Sequence, residues 1–292
     1  LSDKSEGDQM ASLYDMYCEG AIAFGDHKIS INKVNLLKIA LQYCQSFGGI
    51  VISHPVVNEL AGKGVMHEGI TSTQIGLKGI PSMAETIQIA RDLEILKYSG
   101  GKLHLANIST EAGLDLIRES KKQGLQVSCS VGLPQLIFED NELVNFDTNL
   151  KVYPPIRSKK DKQALRQGLL DGSIDMVSSM HEPINIENKK LEFENALAGS
   201  IGLESCFGIL CKVFPLDQVI SFLTRGVECF GIPKASITVG ATADLTLFNP
   251  EKSYSYKEED LKSTSKNSAY LGLELQGKVL GSFNNGILTL NN

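Results

Sequence analysis

The chain has 292 residues, 42% of them hydrophobic and 21% charged, and a mean hydropathy of -0.04; that profile excludes a disordered, collagenous or coiled-coil chain. Twenty-eight basic against thirty-four acidic residues leave a net charge of -6, so no basic footprint points to nucleic acid or an anionic membrane surface. No run approaches the roughly 18 consecutive apolar residues of a membrane helix, and the opening LSDKSEGDQM is polar and acidic where a signal peptide would be basic and then apolar, which predicts a cytoplasmic chain.

In chain order, GAIAFGD (20–26) reads as a strand, VNLLKIALQYCQSF places apolar residues at i, i+3, i+4 and i+7 as a helix does, and GIVISHP (49–55) reads as a second strand. The pattern recurs: KLHLANIST (102–110) is a strand, EAGLDLIRESKKQG a helix, LQVSCSV (125–131) a strand, KDKQALRQGLLDG a helix and SIDMVSSM (173–180) a strand. Apolar strands separated by helical crossovers predict an α/β fold with a buried parallel sheet and helices outside it. Long insertions, HPVVNELAGKGVMHEGITSTQIGLKGIP and GLPQLIFEDNELVNFDTNLKVYPPIR, leave the carboxyl ends of the second and fourth strands, where such folds carry their binding loops. Helices resume through EFENALAGSIGLESCFGIL and LDQVISFLTRGVECFG. From about Ile237 the helical period disappears, and short apolar runs alternate with Gly and Asn turns, among them the hairpin signal Asn284-Asn285-Gly286. Six cysteines, at 18, 44, 129, 206, 211 and 229, show no C-x-x-C pair and predict reduced, buried, structural thiols.

The runs YDMYCEGAIAFGD, MHEGITSTQIGLKGIPSMAE, RDLEILKYSGGKLHLANIST, KVYPPIR, LLDGSIDMVSS, GSIGLES and VGATADLTLFNP with the later STSKNS resemble, in order and spacing, the dihydroorotases of the amidohydrolase superfamily. The resemblance implies a TIM-like (β/α) barrel whose later five strands are the ones found here, over residues 1–236, with residues 237–292 forming part of a small β-sandwich domain. The family's first three strands would lie before Leu1, and the His-x-His metal pair they carry does not occur in this sequence.

Dihydroorotases open or close a cyclic imide between dihydroorotate and N-carbamoyl-aspartate in pyrimidine biosynthesis. Zinc polarises the carbonyl, and an aspartate after the eighth strand moves the proton. Carried over residue by residue, the resemblance makes Asp26 in AFGD a bridging metal ligand and His54 in ISHP a metal-binding histidine. It puts Asn107 of ANIST where a histidine is expected, and an amide is a poor zinc ligand beside imidazole. In SVGLPQL, Ser130, Pro134 and Gln135 occupy a stretch where the family often carries an acidic residue and histidines. The family's Ser-Asp-His-x-Pro becomes Ser179, Met180, His181, Glu182 and Pro183, so methionine stands where the catalytic aspartate belongs, and Ile232, Pro233, Lys234 and Ala235 depart from the family's Asn-Pro-Ala-Arg.

Two readings follow. One is a zinc-dependent cyclic amidohydrolase, acting on a small-molecule substrate, with catalysis impaired at Met180 and Asn107. The other is a non-catalytic homologue serving as a structural partner, for example of aspartate transcarbamoylase; a homodimer is compatible with either. Asp26 and His54 are equally readable as a solvated or hydrogen-bonded polar pair at strand ends. His67 and Glu68 lack the i, i+4 spacing of a helical zinc motif and predict a loop over the barrel mouth. Strand alternation sets His104 on the face opposite Asn107, packed against a helix, and points His181 and Glu182 in opposite directions. Lys151, Pro154, Pro155 and Arg157 form a rigid basic segment in which Arg157 grips a carboxylate, caps a helix or pairs with Asp161. GLKGIP lacks the spacing of a phosphate loop.

Overall fold

The computed structural model describes residues 1–291; Asn292, the last residue of the expected small β domain, lies outside them. Among the described residues ten strands follow in chain order: β1 (Ala23–Phe24), β2 (Ile50–Ser53), β3 (Met66–His67), β4 (Gly79–Ile80), β5 (Leu103–Ile108), β6 (Val127–Gly132), β7 (Met176–Ser178), β8 (Leu245–Ser255), β9 (Glu274–Asn284) and β10 (Ile287–Leu290). The five apolar runs read as strands become one all-parallel sheet in the order β1-β2-β5-β6-β7, with every neighbouring pair parallel. Helices Val34–Cys44, Met83–Ser99, Glu111–Lys122 and Lys159–Leu170 make the crossovers.

The helices form where the apolar period is helical. Val34–Cys44 buries Leu36, Leu37, Ala40, Leu41 and Cys44, a single stripe. Alternate residues of the central strands, Leu103 and Leu105 of β5 and Val127, Cys129 and Val131 of β6, join the same apolar core as helix residues Leu41, Ile89, Leu96, Leu114 and Ile117. Helix Glu111–Lys122 starts where the Thr110 hydroxyl accepts the Gly113 N–H at 3.1 Å, satisfying one of its orphan donors.

The first long insertion contains the two-residue parallel pair β3–β4, where the sequence alone presents a loop. The C-terminal strands form an antiparallel sheet in the order β10-β9-β8. The β9–β10 hairpin turns on Asn285 (φ 49°) and Gly286 (φ 77°), the paired left-handed residues of a two-residue hairpin turn. This sheet leans on helix Cys206–Val213, with the Phe207 and Phe248 rings 4.9 Å apart. The cysteine expectation needs correction: Cys44, Cys129 and Cys206 are buried, but Cys18 is exposed, on the short helix Leu13–Cys18, and Cys211 and Cys229 are only half-buried. No helix among the described residues is long and apolar enough to cross a membrane.

Candidate active site

Because β1, β2, β5, β6 and β7 are parallel, their carboxyl ends share one rim. Asp26 follows β1, His54 follows β2, Asn107 lies at the end of β5, Gly132 ends β6 and Met180 follows β7. The positions singled out from sequence therefore converge on one end of the sheet, where (β/α) folds place their chemistry.

Asp26 is buried and its carboxylate is taken up locally. Its Oδ1 accepts the Ser2 N–H at 2.8 Å, while Oδ2 accepts the Ser2 hydroxyl at 2.5 Å. Burial pushes its pKa up, and the Ser2 hydrogen bonds pull it down. His54 is buried against Tyr153, with ring centroids 5.5 Å apart, and its Nε2 has no hydrogen-bond partner. Burial first, then the Lys28 and His27 charges, lower its pKa to about 4, leaving a neutral imidazole with a free nitrogen.

Asn107 and Met180, two of the departures from the family pattern, share a backbone peculiarity: φ is 56° at Asn107 and 47° at Met180. Asparagine tolerates that left-handed region, whereas methionine adopts it at a cost. The Asn107 N–H donates to Ser130 Oγ at 3.0 Å, but its side-chain Oδ1 is buried without a partner. The Met180 thioether packs against Gly132 beside Gln135, whose Nε2 donates to the Pro154 carbonyl at 2.7 Å and whose Oε1 is likewise unpartnered.

The surrounding loops are tied across the rim. Glu182 forms an ion pair with Lys28, joining the segments that leave the two outermost strands of the sheet. His181 turns elsewhere, its Nδ1 accepting the Leu203 N–H at 3.2 Å and lying 3.6 Å from Glu204 Oε2, so the expected divergence of His181 and Glu182 is present. His67 lies in β3 rather than in a free loop, and its Nδ1 is 3.3 Å from Arg157 Nη1. Arg157 is buried and neither caps a helix nor pairs with Asp161; it donates to the Ile80 carbonyl at 2.7 Å and to Ser109 Oγ at 3.0 Å. His104 is held by Ser128 Oγ at 2.9 Å and Ser130 Oγ at 3.2 Å on β6 and packs on Phe230, just past the short helix Gly226–Cys229.

Sequence reasoning missed Glu85. Buried on helix Met83–Ser99, it accepts the N–H groups of Ser109 and Thr110 at 3.0 and 2.9 Å and both their hydroxyls, fixing the end of β5 at the same Ser109 hydroxyl that accepts from Arg157. On the same helix, Asp92 accepts the Ser53 hydroxyl at 2.6 Å at the end of β2. The signal is present in the sequence: Glu85, Gln88 and Asp92 fall at i, i+3 and i+7 on the buried face of an otherwise ordinary amphipathic helix.

These residues do not by themselves fit a zinc centre. His54 Nε2 is a free donor, but both oxygens of Asp26 are engaged by Ser2, and among the described residues no three His, Cys, Asp or Glu side chains come together as a ligand group.

Residues 2–113 match the family model described as dihydro-orotase-like. A dihydroorotase of Pelotomaculum thermopropionicum is 36% identical over 94% of this chain and 66% of its own length. One from Trichlorobacter lovleyi is 36% identical over 95% of this chain and 67% of its own. Among solved structures, a D-hydantoinase (dihydropyrimidinase) from Thermus sp. superposes with a TM-score of 0.83 at 19% identity, over 99% of this chain and 67% of that one. An L-hydantoinase from Arthrobacter aurescens gives 0.82 at 20%, over 94% and 66%. The shared fold is the (β/α) barrel of amidohydrolases, and the chain spans about two thirds of the length of these relatives.

Proposed function

We propose a function from the premise that this chain belongs to the dihydroorotase family: it is a dihydroorotase-like cyclic amidohydrolase, of the type that interconverts dihydroorotate and N-carbamoyl-aspartate in pyrimidine biosynthesis, and its hydrolytic step is impaired. The observation that carries this reading is Met180, whose thioether packs on Gly132 at the strand end where the family pattern carries a proton-moving aspartate. A thioether neither takes up a proton near neutral pH nor orients water, and the loss of a positioned general acid–base group lowers rates by roughly 10²–10⁴. Zinc would supply carbonyl polarisation and an acidified water in a complete family site, but the donor set described above supports no step through it. What the chain's own residues do is hold the rim: Glu85 and Arg157 both bond the Ser109 hydroxyl, and Asp92 fixes Ser53.

The test is turnover of dihydroorotate by the full chain and by Met180→Asp, with zinc measured on the same samples. Turnover near the 1–10³ s⁻¹ typical of enzymes in the unsubstituted chain would overturn the reading; little or none, raised by Met180→Asp, is the expected result.

A second reading is favoured by the buried Glu85, Asp92 and Arg157 contacts, which keep the scaffold where the proton carrier is lost: a non-catalytic, cytoplasmic structural partner of aspartate transcarbamoylase. Co-migration with that enzyme on size exclusion, with no turnover from either the unsubstituted chain or the Met180→Asp variant, supports it; separate elution removes it. On either reading the barrel-type domain ends near residue 236 and the small β domain follows.

A further inference from the structure

Away from the strand-end cluster, a cavity of about 440 Å³ opens between the loop after β7, the Thr148–Leu150 turn and the segment before Tyr270. That volume falls in the range of small-molecule sites. Its cations are Lys189, Lys190 and Lys266, and no carboxylate lines it. Among the described residues none of these lysines, nor the neighbouring Lys151, forms an ion pair. In a chain of net charge -6, this concentrates unpaired positive charge.

Lys189 is the most telling of them. It is 4% exposed, and its ammonium donates only to backbone carbonyls, to Leu197 at 2.9 Å and Lys151 at 3.4 Å. A buried ammonium without a counter-charge is costly, and burial and the Lys151 charge lower its pKa to about 8. The nearest acids offer little relief: Glu182 is committed to Lys28, and Asp147 caps its own turn through the Asn149 N–H.

We infer that this cavity binds the phosphate group of a small phosphomonoester. Lysines with the Asn149 amide and the Thr264 and Ser265 hydroxyls suit a tetrahedral oxyanion with many acceptor lone pairs. Arginine, whose planar fork matches carboxylates in bidentate fashion, is absent from the lining. Ile184 and Ile186 give the cavity an apolar wall on which an organic body rests, so the space exceeds what free phosphate needs. Occupancy reaches the strand-end rim through Asn267, which lines the cavity while its Nδ2 donates to the Glu182 carbonyl at 2.9 Å and its Oδ1 accepts the Ile184 N–H at 2.9 Å. A ligand there lies against the residue that braces the loop carrying Met180.

The test is calorimetric titration of the full chain with ribose 5-phosphate, inorganic phosphate and succinate, repeated on Lys190→Met and Lys266→Met. Both lysines are exposed, so these variants fold, whereas a variant at the buried Lys189 is uninformative about binding. Saturable binding of ribose 5-phosphate is expected, tighter than that of inorganic phosphate and absent for succinate, and weakened about tenfold by each substitution, equivalent to about 1.4 kcal/mol. Equal affinity for the two phosphates overturns the phosphomonoester assignment. Succinate binding as tight as ribose 5-phosphate overturns the phosphate chemistry. No saturable binding, or binding untouched by both substitutions, overturns the site.

Discussion

Met180 packs so closely on Gly132 that a methyl group added to the glycine would overlap the thioether sulfur, and the Gln135 amide oxygen with it. Gly132 has an ordinary extended backbone, φ -75° and ψ 145°, so glycine is required there for space, not for conformation. Gly132→Ala is expected to destabilise by about 1–3 kcal/mol through overpacking. Shortening the methionine in Gly132→Ala/Met180→Ala recovers part of that loss, and a double-mutant cycle from urea melts reads a coupling above about 0.5 kcal/mol. Strict additivity would show that the two residues do not press on one another.

Asn107 tests the backbone rather than the side chain. With φ at 56° and a buried, unpartnered Oδ1, its value to the fold lies in tolerating the left-handed region. Asn107→Gly is therefore near neutral in chemical denaturation. Asn107→Val, β-branched and averse to positive φ, costs about 1–2 kcal/mol more than the glycine variant. Equal stabilities for the two variants would place the strain elsewhere.

Glu85 and Arg157 make a third case. The Glu85 carboxylate is satisfied by Ser109 and Thr110 and is reached by Arg157 through the Ser109 hydroxyl. Removing one charge of a buried, connected pair leaves the other uncompensated, so Glu85→Gln is expected to cost about 3–5 kcal/mol. Arg157→Met in the Glu85→Gln background then costs far less than Arg157→Met alone, read as midpoints of guanidinium unfolding. Equal costs in the two backgrounds would break the link through Ser109.

The legible and illegible parts of this molecule divide along physical lines. Strands β2, β5 and β6, buried along most of their length, leave apolar runs that are readable, as is Val34–Cys44 from its stripe; β1 and β7 are read from the longer runs GAIAFGD and SIDMVSSM that contain them, although β7 is only half-buried. Convergence of Asp26, His54, Asn107 and Met180 follows from parallel strands sharing one rim. Two-residue strands such as β3 and β4 hold too few residues to alternate. The Met180–Gly132 contact joins the end of β6 to the residues just past β7, far apart in the chain, and no local pattern encodes it. The Arg157–Asp161 pair, one of the alternatives the sequence leaves open, does not form: Asp161 accepts the Ser158 hydroxyl at 2.6 Å and the Glu111 N–H at 3.0 Å instead. Sequence proximity favours Asp161, but the buried guanidinium is oriented by Ile80 and Ser109.

His104 gives the pH dependence. Its imidazole is buried between Ser128, Ser130 and Phe230, and burial lowers its pKa from 6.5 to about 4, against a smaller upward pull from Asp175. Between those two values the unfolded chain binds a proton that the folded chain does not, so stability rises with pH across this window. The contribution is fully present above pH 6.5 and is lost as pH falls towards 4. Melting temperature measured across that window is expected to fall for the unsubstituted chain, and to fall less steeply for His104→Gln. That variant keeps a polar group for the serines without the titrating proton, while starting from a lower value at neutral pH because the amide fills less of the space beside Phe230. Parallel profiles for the two chains would assign the acid sensitivity to other groups and leave His104 a packing residue alone.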